Sequence, residues 1–417
     1  MMEAIYAKYL NHPQICTDTR NIIPNSIFVC LKGEHFDGNQ FALQALENGA
    51  AYVITENSEL SSNPNCIVVD DSLKTLQDLA RYHRKHLTIP IIGVTGTNGK
   101  TTTKELIHAV LSSTFQTTCT KGNLNNHIGV PLTLLSIKPT DEMAIVEMGA
   151  NHPGEIEFLC NISQPNFGVI TNIGKAHIEG FGSVKEIIHT KKALYRAVIQ
   201  NDGTLFVNIN DKILRDGLSH DKIVFYADNG EENIVNMSPY LRINVAGHTI
   251  DTHLTGSYNI YNFLAAAAIG QFFGVCDDRI AESLSCYRPT NHRSQINTIG
   301  SNTIISDYYN ANPTSMEAAI RNLAKLSHPH KRAILGDMRE LGAISHDEHR
   351  HIIDLCNEFG LDVIYVGSEF GAHLPEHCFA NVEALNNYLR ENPITDSMIL
   401  VKGSNSIHLD KLTSILQ

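Results

Sequence analysis

Apolar residues along this chain recur in two rhythms. Short runs such as "SIFVCL", "AAYVIT" and "CIVVD" are bounded by turn residues and read as strands. Between them "QFALQALENGA" carries apolar positions at helical spacing and stops at Gly49, a helix-ending residue. Residues 1 to about 84 therefore read as a small α/β unit. The polar passage "RYHRKHLTIP" leads into "IPIIGVTGTNGKTTTKELIHAVL", which predicts a strand, a glycine-rich turn and a helix. "EMAIVEM", "FGVITNI" and "GTLFVNI" predict further strands with helices between them, the signature of a mostly parallel sheet covered on both faces. After "YRPTNHRSQ" the alternation begins again, from the strand "NTIISDYY" and helix "SMEAAIRNLAKL" through "RAILGD", "HDEHRHIIDLCNEFG" and "DVIYVG" to "SMILVKGS". The chain is thus read as α/β with three domains, bounded at 1–84, 85–291 and 292–417.

One helical stretch breaks the pattern. In "KEIIHTKKALYRAV" the positions Ile187, Ile188, Leu194, Tyr195 and Val198 form one apolar stripe. The residue that completes the stripe is Lys191, whereas Lys192 points elsewhere, to solvent. An unpaired ammonium on a buried face is costly. The plain reading is a lysine whose stem runs along apolar surface, or one that pairs with a nearby acid.

Bulk properties narrow the classes of function. The 417 residues carry a formal net charge of -12, which argues against a nucleic-acid binder or a protein of anionic membranes. The nine cysteines are scattered and form no CxxC pair, the pattern of reduced thiols. The start "MMEAIYAKYLNHPQ" lacks the form of a signal peptide, and no apolar run approaches the ~20 residues that span a bilayer. A cytoplasmic globular protein without membrane insertion is expected.

The most specific chemistry lies in "GVTGTNGKTT", Gly93 to Thr102. A glycine-rich turn between strand and helix lets backbone N–H groups close around phosphates, with Lys100 reaching the β/γ oxygens and the Thr101 hydroxyl ligating Mg²⁺. The strict P-loop pattern would require glycine at position 94, where Val94 stands. Glu147 ends the strand in "AIVEMGANHPGEI", at the carboxyl edge where α/β sheets place ligands. His177 follows in the loop "GKAHIEGFGS" on that same edge. Each also has a structural reading, Glu147 as a solvated strand end and His177 as a packed loop histidine.

Together, "GTNGKTTTKE", "GNLNNHIGVPLTLL", "VEMGANHPGEI", "NIGKAHIEGFGS", "YNANPTSM", "LGDMRELG" and "VKGS" resemble, in order, the motifs of the Mur ligases, ATP-dependent enzymes of peptidoglycan synthesis. "TDTR" and "FVCLKGEHFDGNQF" extend the resemblance over nearly the whole chain. It implies a uridine-nucleotide-binding N-terminal domain, a central P-loop ATPase domain and a C-terminal Rossmann-like domain. "KGNLNN", "EMGANHPGEI" and "YNANPTSM" are most similar to the member that joins D-alanyl-D-alanine to UDP-N-acetylmuramoyl-tripeptide through an acyl phosphate. Small-molecule substrates and a monomer are expected from it.

The resemblance also implies roles for residues. Gly96, Thr97, Asn98, Gly99, Lys100, Thr101 and Thr102 would hold ATP, with Asn259 and Asn262 of "GSYNIYNFLAAAA", Arg293 and Asp307. One Mg²⁺ would lie at Thr101 and Glu147, and a second near Glu147 and His177. Lys191 would be carbamylated by CO₂ and face that second ion, so Lys100, His177 and Lys191 form the catalytic set. Asp18, Thr19 and Arg20 would lie near the uridine diphosphate, and Asn123, Asn125 and Asn126 would face the sugar-peptide. Asn310, Asn312, Lys402 and Ser404 would close over dipeptide or ATP, although turn chemistry also accounts for asparagine and proline in such loops. The chain departs from the family pattern at His127, Tyr258 and His292. Two alternatives stay open at this point, a sister or folylpolyglutamate-type ligase adding a single amino acid, and a P-loop regulatory protein without ligation.

Overall fold

A computed structural model describes residues 1–417 except 291–292, 413–415 and 417, so the departure at His292 lies outside the described residues. Three main sheets follow one another along the chain. The first has four parallel strands in the order Ile15–Cys16, Ile27–Val29, Tyr52–Thr55, Cys66–Val68. The central sheet has six parallel strands in the order Ile223–Tyr226, Thr204–Asn208, Phe167–Ile170, Ile91–Thr95, Met143–Glu147, Thr117–Cys119. The fourth strand of this series, Ile91–Thr95, is fully buried. Its apolar run packs on both faces, as a parallel sheet requires. The third sheet runs Gln295–Ile299, Asn302–Asp307, Met398–Lys402, Lys331–Gly336, Asp362–Val366, Cys378–Phe379. It is parallel except for its antiparallel edge strand Gln295–Ile299, an element the sequence reading did not separate from the strand that follows.

Apolar clusters hold these sheets. Ile5, Tyr9, Leu76 and Leu79 of the first unit share one continuous core with Val130, Leu134 and Leu159 on one face of the central sheet. The other face is covered by the phosphate-loop helix Lys100–Ser112 and the helix Ile260–Phe272, which pack on each other. A small antiparallel sheet, Ile234–Asn236, Arg242–Val245 and His248–Asp251, was not foreseen. In its middle strand Arg242 and Asn244 face out while Ile243 and Val245 turn into that core, the alternation of a half-buried strand.

The lysine stretch differs from expectation in one respect. It forms two helices, Val184–Lys191 and Ala193–Gln200, because Lys192 at φ -64° and ψ -9° opens the last turn. Lys191 nonetheless lies on the buried face at 2% exposure, and Lys192 is half-buried. Among the described residues no helix is long and apolar enough to cross a membrane.

Candidate active site

The phosphate loop is shaped by two glycines. Gly96 has φ +148°, and a Cβ there would fall 1.9 Å from Thr171 Oγ1. Gly99 has φ +79° and starts the helix Lys100–Ser112, with Asn262 Oδ1 2.8 Å from where its Cβ would be. Both positions need the freedom of glycine. The loop is fastened to the end of the neighbouring strand. Thr97 N–H donates to the Asn172 carbonyl (2.9 Å), Asn98 N–H to Asn172 Oδ1 (3.0 Å), and the Thr171 hydroxyl to the Asn98 carbonyl (2.6 Å). From the other side, Asn262 Oδ1 accepts from Thr103 Oγ1 (3.0 Å) while its amide donates to Asn259 Oδ1 (2.8 Å). The buried Asn259–Asn262 pair therefore braces the first turn of the phosphate-loop helix.

Lys100 folds back onto its own loop, its ammonium donating to the carbonyls of Gly96 (2.9 Å) and Thr97 (3.0 Å). Burial pushes it down to about 8, with Glu147 opposing the shift and Arg293 adding to it. Thr101 Oγ1 donates to Glu147 Oε1 (3.1 Å), which also accepts from Asn125 Nδ2 (2.8 Å). Glu147 is fully buried, and its Oε2 has no hydrogen-bond partner among the described residues. A buried carboxylate oxygen without a donor, beside a threonine hydroxyl, suits a hard cation. Among the described residues no group of three or more His, Cys, Asp or Glu side chains forms a metal cage. The donor set thus fits Mg²⁺, which keeps waters and phosphate oxygens in its shell.

These residues wall a cavity of about 790 Å³. From the central sheet it takes Thr97, Asn98, Gly99, Lys100, Thr102, Glu147 and His177, and from the asparagine loop Asn123, Asn125 and Asn126. The third sheet supplies Asp307 and Lys402, with Arg293 just before its first strand and Asn310 just after its second. Lys402, itself buried, pairs with Asp307 at 2.7 Å, the two being register partners on adjacent strands. The Arg293 guanidinium lies 4.0 Å from the Tyr309 ring centroid, with its buried Nε unpartnered among the described residues. His177 Nδ1 pairs with Glu340, and burial holds the imidazole below its usual range while that carboxylate opposes the shift.

Three family models match the chain in order. They are the Mur ligase family, catalytic domain over residues 13–86, the Mur ligase middle domain over 94–270, and the Mur ligase, glutamate ligase domain over 292–405. A UDP-N-acetylmuramoyl-tripeptide–D-alanyl-D-alanine ligase of Bacillus subtilis (strain 168) is 34% identical across 96% of this chain and 92% of its own length. This chain belongs to the Mur ligase family. The ligase of the same name from Escherichia coli (strain K12) is 33% identical over 97% of this chain and 93% of its own. Among solved structures, MurF from Acinetobacter baumannii superposes with a TM-score of 0.85 at 32% identity, covering 97% of this chain and 93% of that one. MurF from Thermotoga maritima in complex with ADP does so at 0.84 and 25% identity, covering 98% and 97%.

The other sequence-derived candidates of this Mur ligase fall into two groups. Some support the cavity from behind. Gly96 and Thr101 lie in the loop wall, and Asn312 caps the helix Pro313–Lys325 while donating to Asn98 Oδ1 (2.8 Å). Ser404 Oγ accepts from Arg339 N–H (2.9 Å), and Lys191, expected to face the second ion, is buried 5.9 Å from the Phe181 ring centroid; neither of these two lines the cavity. Asp18, Thr19 and Arg20 form the second group. They lie on the surface of the first unit, where Asp18 accepts from Arg20 (2.7 Å), and none of them lines the cavity. Tyr258 stands at the cavity wall with its hydroxyl 2.9 Å from Ser294 Oγ, and the His127 carbonyl accepts from Gln77 Nε2 (3.1 Å). Asn172, Tyr309 and Glu340 were missed. All three fall inside or beside motifs that were read, at positions where only the fold reveals the partner.

Proposed function

We propose that this chain joins D-alanyl-D-alanine to UDP-N-acetylmuramoyl-tripeptide at the expense of ATP, giving the UDP-muramoyl-pentapeptide, ADP and phosphate. The observation that carries the reading is the shared cavity, in which the phosphate loop and Glu147 face Asp307 and Lys402 of the third sheet and Arg293 just before it. A simple nucleotide switch needs only the first set. A ligase needs the second, to present an acceptor to the activated carboxyl group.

In this reading residues 1–84 hold the UDP-sugar, 85–291 hold ATP, and 292–417 close over nucleotide and dipeptide. The γ-phosphoryl passes to a carboxylate oxygen of the tripeptide as ADP leaves. The dipeptide amine then attacks the carbonyl carbon, loses its proton, and the phosphate departs. Lys100 and Arg293 converge on the phosphates from opposite sides, supplying the positioning and charge neutralisation this transfer requires. Asn259 and Asn262 hold the loop in place, and Asp307 takes the ribose. Asn123, Asn125 and Asn126 face the sugar-peptide. Thr101 and Glu147 would hold one Mg²⁺ and His177 would help hold a second, and these ions would neutralise the developing phosphate charge. Lys191 is the carbamate-forming lysine. That reaction requires a neutral amine, and burial, reinforced by Lys100, brings its ammonium well below the ordinary lysine range. We further propose that the enzyme works as a cytoplasmic monomer.

Incubation with ATP, Mg²⁺, UDP-muramoyl-tripeptide and D-alanyl-D-alanine should yield the pentapeptide by mass spectrometry. Single amino acids or folates in place of these substrates should not couple. Absence of the pentapeptide would sink the proposal.

A further inference from the structure

His177 and Glu340 face each other across the seam between the central and third sheets. Both adopt left-handed backbone, with φ +53° and +62°. Non-glycine residues persist in that region only where their surroundings hold them. Here the surroundings are mutual. The Glu340 carboxylate pairs with His177 Nδ1, and the Glu340 carbonyl accepts from Glu179 N–H (3.2 Å), two residues further along the His177 loop. Gly342 packs against Glu179, and Lys175 on the same loop pairs with Glu348 at 2.7 Å.

The segment carrying Glu340 is itself tied to the cavity floor. Ser404 N–H donates to the Asp337 carbonyl (3.1 Å), and Arg339 N–H donates to Ser404 Oγ (2.9 Å). Asp337 is fully buried and accepts from the backbone N–H groups of Glu369 (3.0 Å) and Phe370 (3.1 Å). A continuous set of bonds thus joins the strand end at Lys402, through Ser404 and Arg339, to Glu340 and on to His177.

We infer that Glu340 is a positioning residue, which fixes the tautomer and orientation of His177 and completes the phosphate end of the site only when the third sheet is docked. The carboxylate oxygen sits where it accepts from the ring N–H at Nδ1, so the pairing places the hydrogen there and, in the neutral ring, leaves the lone pair on Nε2. Partners that orient an imidazole through its second nitrogen alter activity by roughly 10–100-fold when removed. The inference rests on the ligase reading for its kinetic part and on geometry alone for the tautomer.

The test uses the full-length chain labelled with [¹⁵N]histidine, the His177 resonances being assigned by their loss in His177→Gln. Nitrogen shifts in the wild type should show Nδ1 protonated and Nε2 bare, and Glu340→Ala should exchange the two. In ligation, Glu340→Ala should lower kcat about 10–100-fold. ADP affinity should stay within about twofold, since Lys100 and the loop remain intact, and Glu340→Asp should recover part of the loss. Adding Glu340→Ala to His177→Ala should cost nothing more. Nε2–H in the wild type, an unchanged kcat in Glu340→Ala, or a loss of ADP affinity matching that of kcat would each overturn the inference. If the wild type makes no pentapeptide, the ligase reading fails, while the nitrogen shifts still decide the pairing.

Discussion

Lys100 and Lys191 are both ammonium groups in surroundings that disfavour charge, and they call for opposite remedies. On the proposed function the remedy for Lys100 is a phosphate. Its free-state value of about 8 must rise when an anion arrives, so nucleotide binding takes up a proton wherever the free amine is partly neutral. Uptake should be near zero at pH 6, about half a proton at pH 8 and larger at pH 9. Calorimetry of ADP binding in buffers of different ionisation enthalpy measures it directly, and proton release at pH 8–9 would contradict the assignment. For Lys191 the remedy proposed is loss of the positive charge as a carbamate. Lys191→Ala should bring ligation to near background, with partial recovery in a short-chain carboxylic acid, and wild-type activity in that variant would remove the carbamate proposal. The burial of Lys191 was legible because an apolar stripe needed that position filled, and the structure buries it at 2% exposure. Glu340 was not legible, because nothing in "LGDMRELG" says which loop, 163 residues away in sequence, it will meet.

At the scale of elements the alternating series was readable because most of its strands are compact apolar runs and many of its helices begin or end at a turn residue. What escaped were the places where one element gives way to another. The break at Lys192 arises from a change in backbone ψ without proline or glycine, so no residue type announces it. The small sheet at 234–251 is short, polar on one face and anchored by few apolar residues, which leaves a weak signal. The phosphate loop shows how tightly element joints are specified. In Gly99→Ala a side chain must take up a left-handed φ, at roughly 1–2 kcal/mol, and displace Asn262 as well. ADP affinity should fall at least about tenfold while circular dichroism stays native. Gly129→Ala should be worse for folding, since its Cβ would lie 2.2 Å from the backbone of Leu124 and spring the asparagine loop. Its thermal midpoint should drop well below that of Gly99→Ala.

At the scale of the whole molecule the two seams differ in kind. The first unit is welded to the central one by a continuous apolar core and by Arg84, buried, which donates to the carbonyls of Ser163 (2.9 Å), Gln164 (2.9 Å) and Leu87 (2.9 Å). Arg84→Ala would leave these carbonyls, that of Ser163 buried and the other two part-buried, without their donor and should cost about 3 kcal/mol in denaturant unfolding. The third sheet docks through polar contacts such as Lys175–Glu348 and Asn98–Asn312. Contacts of that kind release easily into water. Lys175→Glu should therefore enlarge the radius of gyration of the ligand-free enzyme in solution scattering and raise KM for ATP several-fold.

The welded seam has a consequence for the substrate. The cavity takes no side chain from residues 1–84, and the joint beside it is a continuous apolar core. On the proposed function, a nucleotide held on the first unit is anchored at a remove from Lys100 set by this joint. The peptide between must bridge that gap at ~3.3–3.6 Å per extended residue. The protein then acts as a ruler. Precursors one or two residues short would be gripped by their nucleotide yet leave their carboxylate outside the phosphate loop, competing with the tripeptide without ever being extended.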